Sequence, residues 1–220
     1  QSYNSGTKPG SILGIRTGNA EDPNAPDVRI WRIRRDYATA DLRQDAAELS
    51  GFPVAGVTDS MIARIRDQYA QDWIEWPWQK GAPFYDLNGN GVKDSDEDPG
   101  LAGADQVVWY VCNDIGVVQP WSCPQTGIEE QTTIWAYNKS DAFGNVVFKR
   151  FRLVYKGTAA TAVNAHIDSM YVAQWSDPDV GAYTDDLAGC DTALNLGYCY
   201  NANPIDYAYQ EYGLPPPAVG

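Results

Sequence analysis

Apolar residues recur at every second position over much of the chain, the period of a β-strand whose side chains point alternately to two faces. Four stretches follow it: "ADQVVWYVCND" (104–114), "TTIWAYNKS" (132–140), "NVVFKRFRLVYKG" (145–157) and "AHIDSMYVAQWSD" (165–177). In the third, Val147, Phe151, Leu153 and Tyr155 share one face and Arg150 and Arg152 take the other, which predicts a sheet with one solvated side. In the fourth, Ile167, Tyr171 and Trp175 align in the same way, whereas the first is apolar on both faces and suits a central strand. A fifth candidate, "RIWRIRRD" (29–36), alternates Trp31 and Ile33 with Arg32 and Arg34 and reads as a half-buried strand with a basic outer face.

The period changes to that of a helix in two places. Thr39 is placed to cap "ADLRQDAAEL", and Thr58 to cap "DSMIARIRDQYAQDW", where Met61, Ile62, Ile65, Tyr69 and Trp73 form one apolar stripe that belongs to a core. Residues 1–27, rich in Gly, Asn, Asp, Ser and Pro, predict an extended arm with one short strand in "SILGIRTG". The expected organisation is this arm, a helix-and-strand segment over 28–80, and a β domain over 81–220 that forms one compact unit with 28–80. The fold class is mainly β: an antiparallel β-sandwich with an N-terminal arm and two short helices.

Composition narrows the function. Hydrophobic residues make up 44% of the 220, enough for a globular core, and 29 acidic against 16 basic residues give a net charge of −13. That charge repels nucleic acid and anionic membranes and favours cations. No stretch approaches the roughly 20 apolar residues that span a bilayer as a helix. The chain begins with Gln1, which reads as processed or excised. Four cysteines fall as two local pairs, Cys112 with Cys123 and Cys190 with Cys199, without CxxC spacing, and a single histidine argues against zinc. Two disulfides formed in an oxidising compartment are expected, each closing a short loop for roughly 3 kcal/mol; reduced, buried thiols are the alternative.

The strongest motif is "DLNGNGVKDSDEDPG" (86–100). Counted from Asp86, oxygen-bearing side chains fall at positions 1, 3 and 5 (Asp86, Asn88, Asn90), glycine at 6 (Gly91), Asp94 at 9 and Glu97 at 12, with the Val92 carbonyl available at 7. This is the spacing of an EF-hand-type calcium loop, in which alternate oxygens turn inward and the last glutamate closes the site bidentately. Pro77, Gly81 and Pro83 oppose an entering helix, so a calcium loop without EF-hand helices is expected. A second acidic stretch, "SDPDVGAYTDDLAGCD", holds Asp177, Asp179, Asp185, Asp186 and Asp191; it is either a second cation site or a turn built on Pro178, Gly181 and Gly189.

Together, "GAPFYDLNGNGVKDSDEDPGLAGADQVVWYVCND", "SDAFGNVVFKRFRLVYKG", "MYVAQWSDPDVGAYTDDLAGCDTALNLGYCYN" and the closing "PPPAVG" resemble a region of large secreted proteins of Bacteroidetes and Ignavibacteria, which commonly end in a type IX secretion sorting domain. The calcium loop followed by "PGLAGA" is also similar to the metal loops of B-type repeat domains in bacterial surface adhesins. The resemblance implies export and an extracellular, cell-surface life, and supplies no activity. In such proteins the sequence continues past "PPPAVG", which fits a fragment or a chain trimmed in maturation.

Three function classes compete. The first is a calcium-stabilised extracellular structural or adhesive surface module that associates with copies of itself or with other surface proteins, as a filament or surface layer, its arm adding to a neighbour's sheet edge. The second is a carbohydrate-binding module, since eight Trp and 14 Tyr include the close group Trp73, Trp76 and Trp78, whose rings either stack on glycans or pack a helix–sheet junction. The third is a hydrolase, for which the sole histidine, His166, lacks any GxSxG or cysteine partner motif, while paired carboxylates of the glycoside hydrolase kind stay open.

Overall fold

The structure is a computed structural model that describes residues 6–117, 123–173 and 179–203, and the backbone of 218 and 219. The chain divides into two compact units, 1–165 and 166–220. Strands in antiparallel sheets dominate, with two α-helices among the described residues. No helix among the described residues is long and apolar enough to cross a membrane.

The first unit is built on a five-stranded antiparallel sheet. Its central strand is β3 (Gln106–Asn113), paired on one side with β4 (Ile128–Ala136) and through it with β5 (Val147–Tyr155). Two short strands share the other edge of β3: β1 (Lys8–Pro9) lies against Asn113 and Cys112, and β2 (Trp31–Arg34) against residues 106–109. Alternation along β3 buries Val107, Trp109, Val111 and Asn113 and leaves the intervening residues half-buried. Trp31 and Ile33 continue that buried face into β2, where Arg34 is turned to Asp36 and to Asp45.

Residues 73–82, the end of the second helix and the segment after it, cover the buried face through Trp73, Trp76, Trp78 and Ala82. α1 (Arg43–Ser50) and α2 (Asp59–Ile74) pack together through Leu42, Ala46, Ala47, Val57, Ile65 and Tyr69. Thr58 caps α2, its hydroxyl accepting the Met61 N–H at 3.4 Å. Thr39 does not cap α1: that helix starts later, at Arg43, whose N–H donates to Asp41. Asp72, 1% exposed, clamps α2 to β2 by accepting the Arg32 backbone N–H at 2.8 Å, together with Arg29 and Gln68. Trp76 is buried in the helix–sheet core with its indole N–H on the Pro83 carbonyl, and Trp73 and Trp78 pack against the same cluster.

Three strand expectations need correction. The predicted 132–140 strand lies earlier, at 128–136, because its first half buries polar side chains: Glu129 is 1% exposed, accepting the Ile12 N–H and the Lys156 ammonium. In β5 the apolar set Val147, Phe151, Leu153 and Tyr155 is exposed. On the opposite face Phe148 and Val154 are half-buried, Phe148 stacked on Trp135, while Arg150 and Arg152 are exposed and Arg152 donates to Gln131. The predicted strand over 165–177 is absent from its described part, 165–173, where no neighbouring strand supplies a ladder and Tyr171 is 92% exposed; its remainder lies outside the described residues.

The arm is tied to its own sheet. Besides β1, the Gly10 N–H donates to the Val111 carbonyl, Asn113 donates to the Gly10 carbonyl, and Ile12 is buried. The second unit is a hairpin of β6 (Asp186–Asp191) and β7 (Leu196–Asn201), extended by β8 (Ala218–Val219). Gly189 faces Tyr198, and a Cβ there would sit 2.4 Å from the tyrosine ring, which would have to shift to admit it.

Candidate metal centre

The acidic loop is pinched shut at its base by an antiparallel bridge between Phe84 and Pro99, with the Tyr85 N–H on the Asp98 carbonyl and the Gly100 N–H on the Pro83 carbonyl. No helix enters or leaves it. Within this frame, Asp86 organises the turn: Oδ1 accepts the N–H of Gly89 at 2.7 Å and of Asn90 at 3.2 Å, and Oδ2 accepts that of Gly91 at 2.9 Å. Gly91 sits at φ 75°, the left-handed region that a side chain would strain, which lets its N–H fold back to position 1.

Asn88 and Asn90 each accept the N–H two residues ahead, from Asn90 and Val92 respectively, and each turns its amide nitrogen onto Asp94 Oδ2, at 2.8 and 3.1 Å. Glu97 closes the loop from the far end. Its carboxylate is 3% exposed, one oxygen accepting the Leu87 N–H at 2.7 Å and the other the Asp94 N–H at 3.0 Å. The structure therefore brings Asp86, Asn88, Asn90, Asp94 and Glu97 into one hydrogen-bonded loop. Val92 stands on its rim with an exposed side chain.

The donor set suits a hard cation. Every side chain offered is an oxygen donor, and no basic side chain is ion-paired with Asp86, Asp94 or Glu97 among the described residues. Among those residues there is also no ready-made group of three or more His, Cys, Asp or Glu side chains for a metal. The Asn88 and Asn90 amide N–H groups occupy the Asp94 lone pairs that an ion would take, so binding requires those amides to turn their oxygens inward.

The second acidic stretch is more dispersed. Asp177 lies outside the described residues, Asp179 is exposed, and Asp185 accepts the Asn203 amide. Asp186 accepts the Val180 N–H, and Asp191 accepts the N–H groups of Ala193 and Leu194 in the turn between β6 and β7. His166 lies in an irregular segment, 74% exposed, 3.0 Å from Asp168.

All four cysteines are free thiols in the structure. Cys112 is on β3, where burial, reinforced by the Glu130 charge, pushes its thiol up to about 11. Cys190 opposes Gly197 and Cys199 opposes Ala188, so the two thiols of the hairpin share a face one pleat apart.

No protein-family model matches the chain, and neither does any curated protein or solved structure. The functional reading therefore rests on the residues themselves.

Proposed function

We propose that the protein is a calcium-stabilised extracellular structural or adhesive module, with Asp86, Asn88, Asn90, Asp94, Glu97 and the Val92 carbonyl holding the ion. One observation carries this: Glu97 keeps a carboxylate buried at position 12 of an oxygen-lined loop with no basic side chain paired to it. A buried carboxylate of this kind is costly unless a cation compensates it, and backbone N–H groups do so only in part. The likeness to secreted surface proteins supports the cell-surface location, and the acidic net charge is compatible with a calcium-containing medium.

The structural role includes association with copies of the chain or with other surface proteins. A sandwich belongs to the same proposal: the exposed face of β5, with Val147, Phe151, Leu153 and Tyr155, is a surface that a second layer would cover. The glycan-binding alternative draws less support, because Trp76 is buried and Trp73 and Trp78 are packed against the core, with no open aromatic platform among the three. The test is calorimetric titration of the chelator-stripped protein with calcium. Loss of one bound calcium in Asp86→Ala supports the reading, and absence of any calcium heat in the intact chain overturns it.

A further inference from the structure

The hairpin of the second unit carries polar atoms that its own hydrogen bonds leave unused. Asp186 opens β6 and stands directly opposite Asn201, the last residue of β7. Cross-strand partners project from the same face, with Cβ atoms about 5 Å apart. Asn201 is 8% exposed, and among the described residues neither its amide oxygen nor its amide nitrogen has a hydrogen-bond partner. Among the described residues Asp186 Oδ1 is also buried without a hydrogen-bond partner, while its other oxygen accepts the Val180 N–H at 2.8 Å and the Cys199 thiol lies against the same carboxylate. Native proteins seldom leave such atoms unpaired, and a facing amide and carboxylate left empty together point to a missing third party.

We propose that Asp186 and Asn201 bind a second calcium ion, with Asp179 contributing a further carboxylate from the rim. Asp179 immediately precedes Val180, so the same turn that caps Asp186 brings a second acidic residue beside it. The unpartnered ligands are a carboxylate oxygen and an amide oxygen, the pair that hard divalent cations take, and water completes the coordination. Of the other acidic residues in this stretch, Asp185 is engaged with Asn203, and Asp191 lies at the far end of β6, in the hairpin turn. The choice of ion rests on the calcium reading of the first loop. The competing occupants are a bridging water, or the Asn201 amide turned directly onto Asp186.

The experiment uses the full chain, stripped with chelator and titrated with calcium by calorimetry, with melting curves in calcium and in chelator. The wild-type protein is expected to bind two ions, and Asp86→Ala and Asp186→Asn one each. Asn201→Asp separates a cation from the other occupants. A cation site with an added carboxylate binds on the order of tenfold more tightly, whereas a water or an amide contact leaves two buried carboxylates opposed and destabilises the hairpin in calcium and chelator alike. Loss of the only ion in Asp86→Ala, with Asp186→Asn binding as wild type, overturns the second site and leaves the first. Loss of the only ion in Asp186→Asn alone does the reverse. If Asp186→Asn does not fold, the Asn201→Asp affinity decides.

Discussion

Replacing Glu97 by Gln tests the proposed calcium loop at the most buried of its acidic side chains. The change keeps shape and volume but removes one negative charge and one of two acceptor oxygens, so either the Leu87 or the Asp94 N–H loses its partner. In chelator two effects oppose. A charge-assisted hydrogen bond is worth about 1.5–3 kcal/mol, while relief of repulsion from neighbouring Asp86 and Asp94 returns roughly 1 kcal/mol per pair at solvent-like dielectric. The metal-free variant should therefore melt within a few degrees of wild type. Calcium separates them: at 100 times the dissociation constant it adds about 2.7 kcal/mol to the wild-type protein. At roughly 2–4 °C per kcal/mol for a domain of this size, that is a rise of roughly 5–11 °C. Glu97→Gln, without its bidentate ligand, should show almost none of that rise. Melting curves of both proteins with calcium and with EDTA measure it. A variant that keeps the whole calcium increment refutes the placement of Glu97 in the site.

Asp72→Ala should be among the more damaging single changes in the first unit, costing about 3 kcal/mol by stranding the Arg32 N–H and the partly buried Arg29; Asp72→Asn, which retains an acceptor, should cost less, and denaturant titration compares them. Burial and the hydrogen bond to Asp45 push the Tyr69 hydroxyl up to about 12. Its folded value lies above the ordinary 10, so its contribution is complete below pH 10 and is lost as pH rises towards 12, which ultraviolet titration alongside alkaline unfolding would register; ionisation at pH 10 in the folded protein would contradict it. In protein from an oxidising source, peptide mapping without reductant should find Cys190 joined to Cys199 and Cys112 to Cys123; four free thiols would count against the extracellular reading.

The hydrogen-bonded acidic loop was legible in the sequence because its oxygen-bearing residues lie within twelve positions and their spacing is enforced by local turns. Strand β3 and helix α2 were legible for a similar reason, since long apolar periods need no distant partner to be recognised. What escaped depended on contacts far along the chain. "IEEQTT" looks too polar for an inner strand until Ile12, 117 residues away, and Lys156 are seen to satisfy Glu129. The orientation of β5 is likewise set across the sheet, by Phe148 stacking on Trp135, and four alternating apolar residues do not reveal which face a neighbour covers. The β6–β7 hairpin was hidden by two glycines that weaken a strand pattern, and at Gly189 the Tyr198 ring occupies the space of a Cβ. Asn201 carried no sequence signal as a site residue, since only its pairing with Asp186 makes an amide at that position chemically unusual.

The seating of the arm bears on how copies of the chain would associate. An arm that adds to a neighbour's sheet must first leave its own, and here residues 8–12 are held by β1 pairing, by the Gly10 bonds to Val111 and Asn113, and by the Ile12 N–H on Glu129. Withdrawing it exposes Ile12 and removes a donor from a carboxylate that is 1% exposed, leaving Lys156 as its remaining cation. A neighbour's arm of identical sequence could restore each of these contacts, so exchange gains little enthalpy and must overcome the barrier of unseating. Association through the exposed face of β5 needs no strand withdrawn, because Val147, Phe151, Leu153 and Tyr155 are already exposed in the folded chain, and its cost is the desolvation of Lys149, whose ammonium lies over the Phe151 ring on the same face. Burying that face removes water from apolar surface and leaves the pairing of β5 with β4 intact. Under the proposed structural role, association through the β5 face is therefore favoured over exchange of the arm.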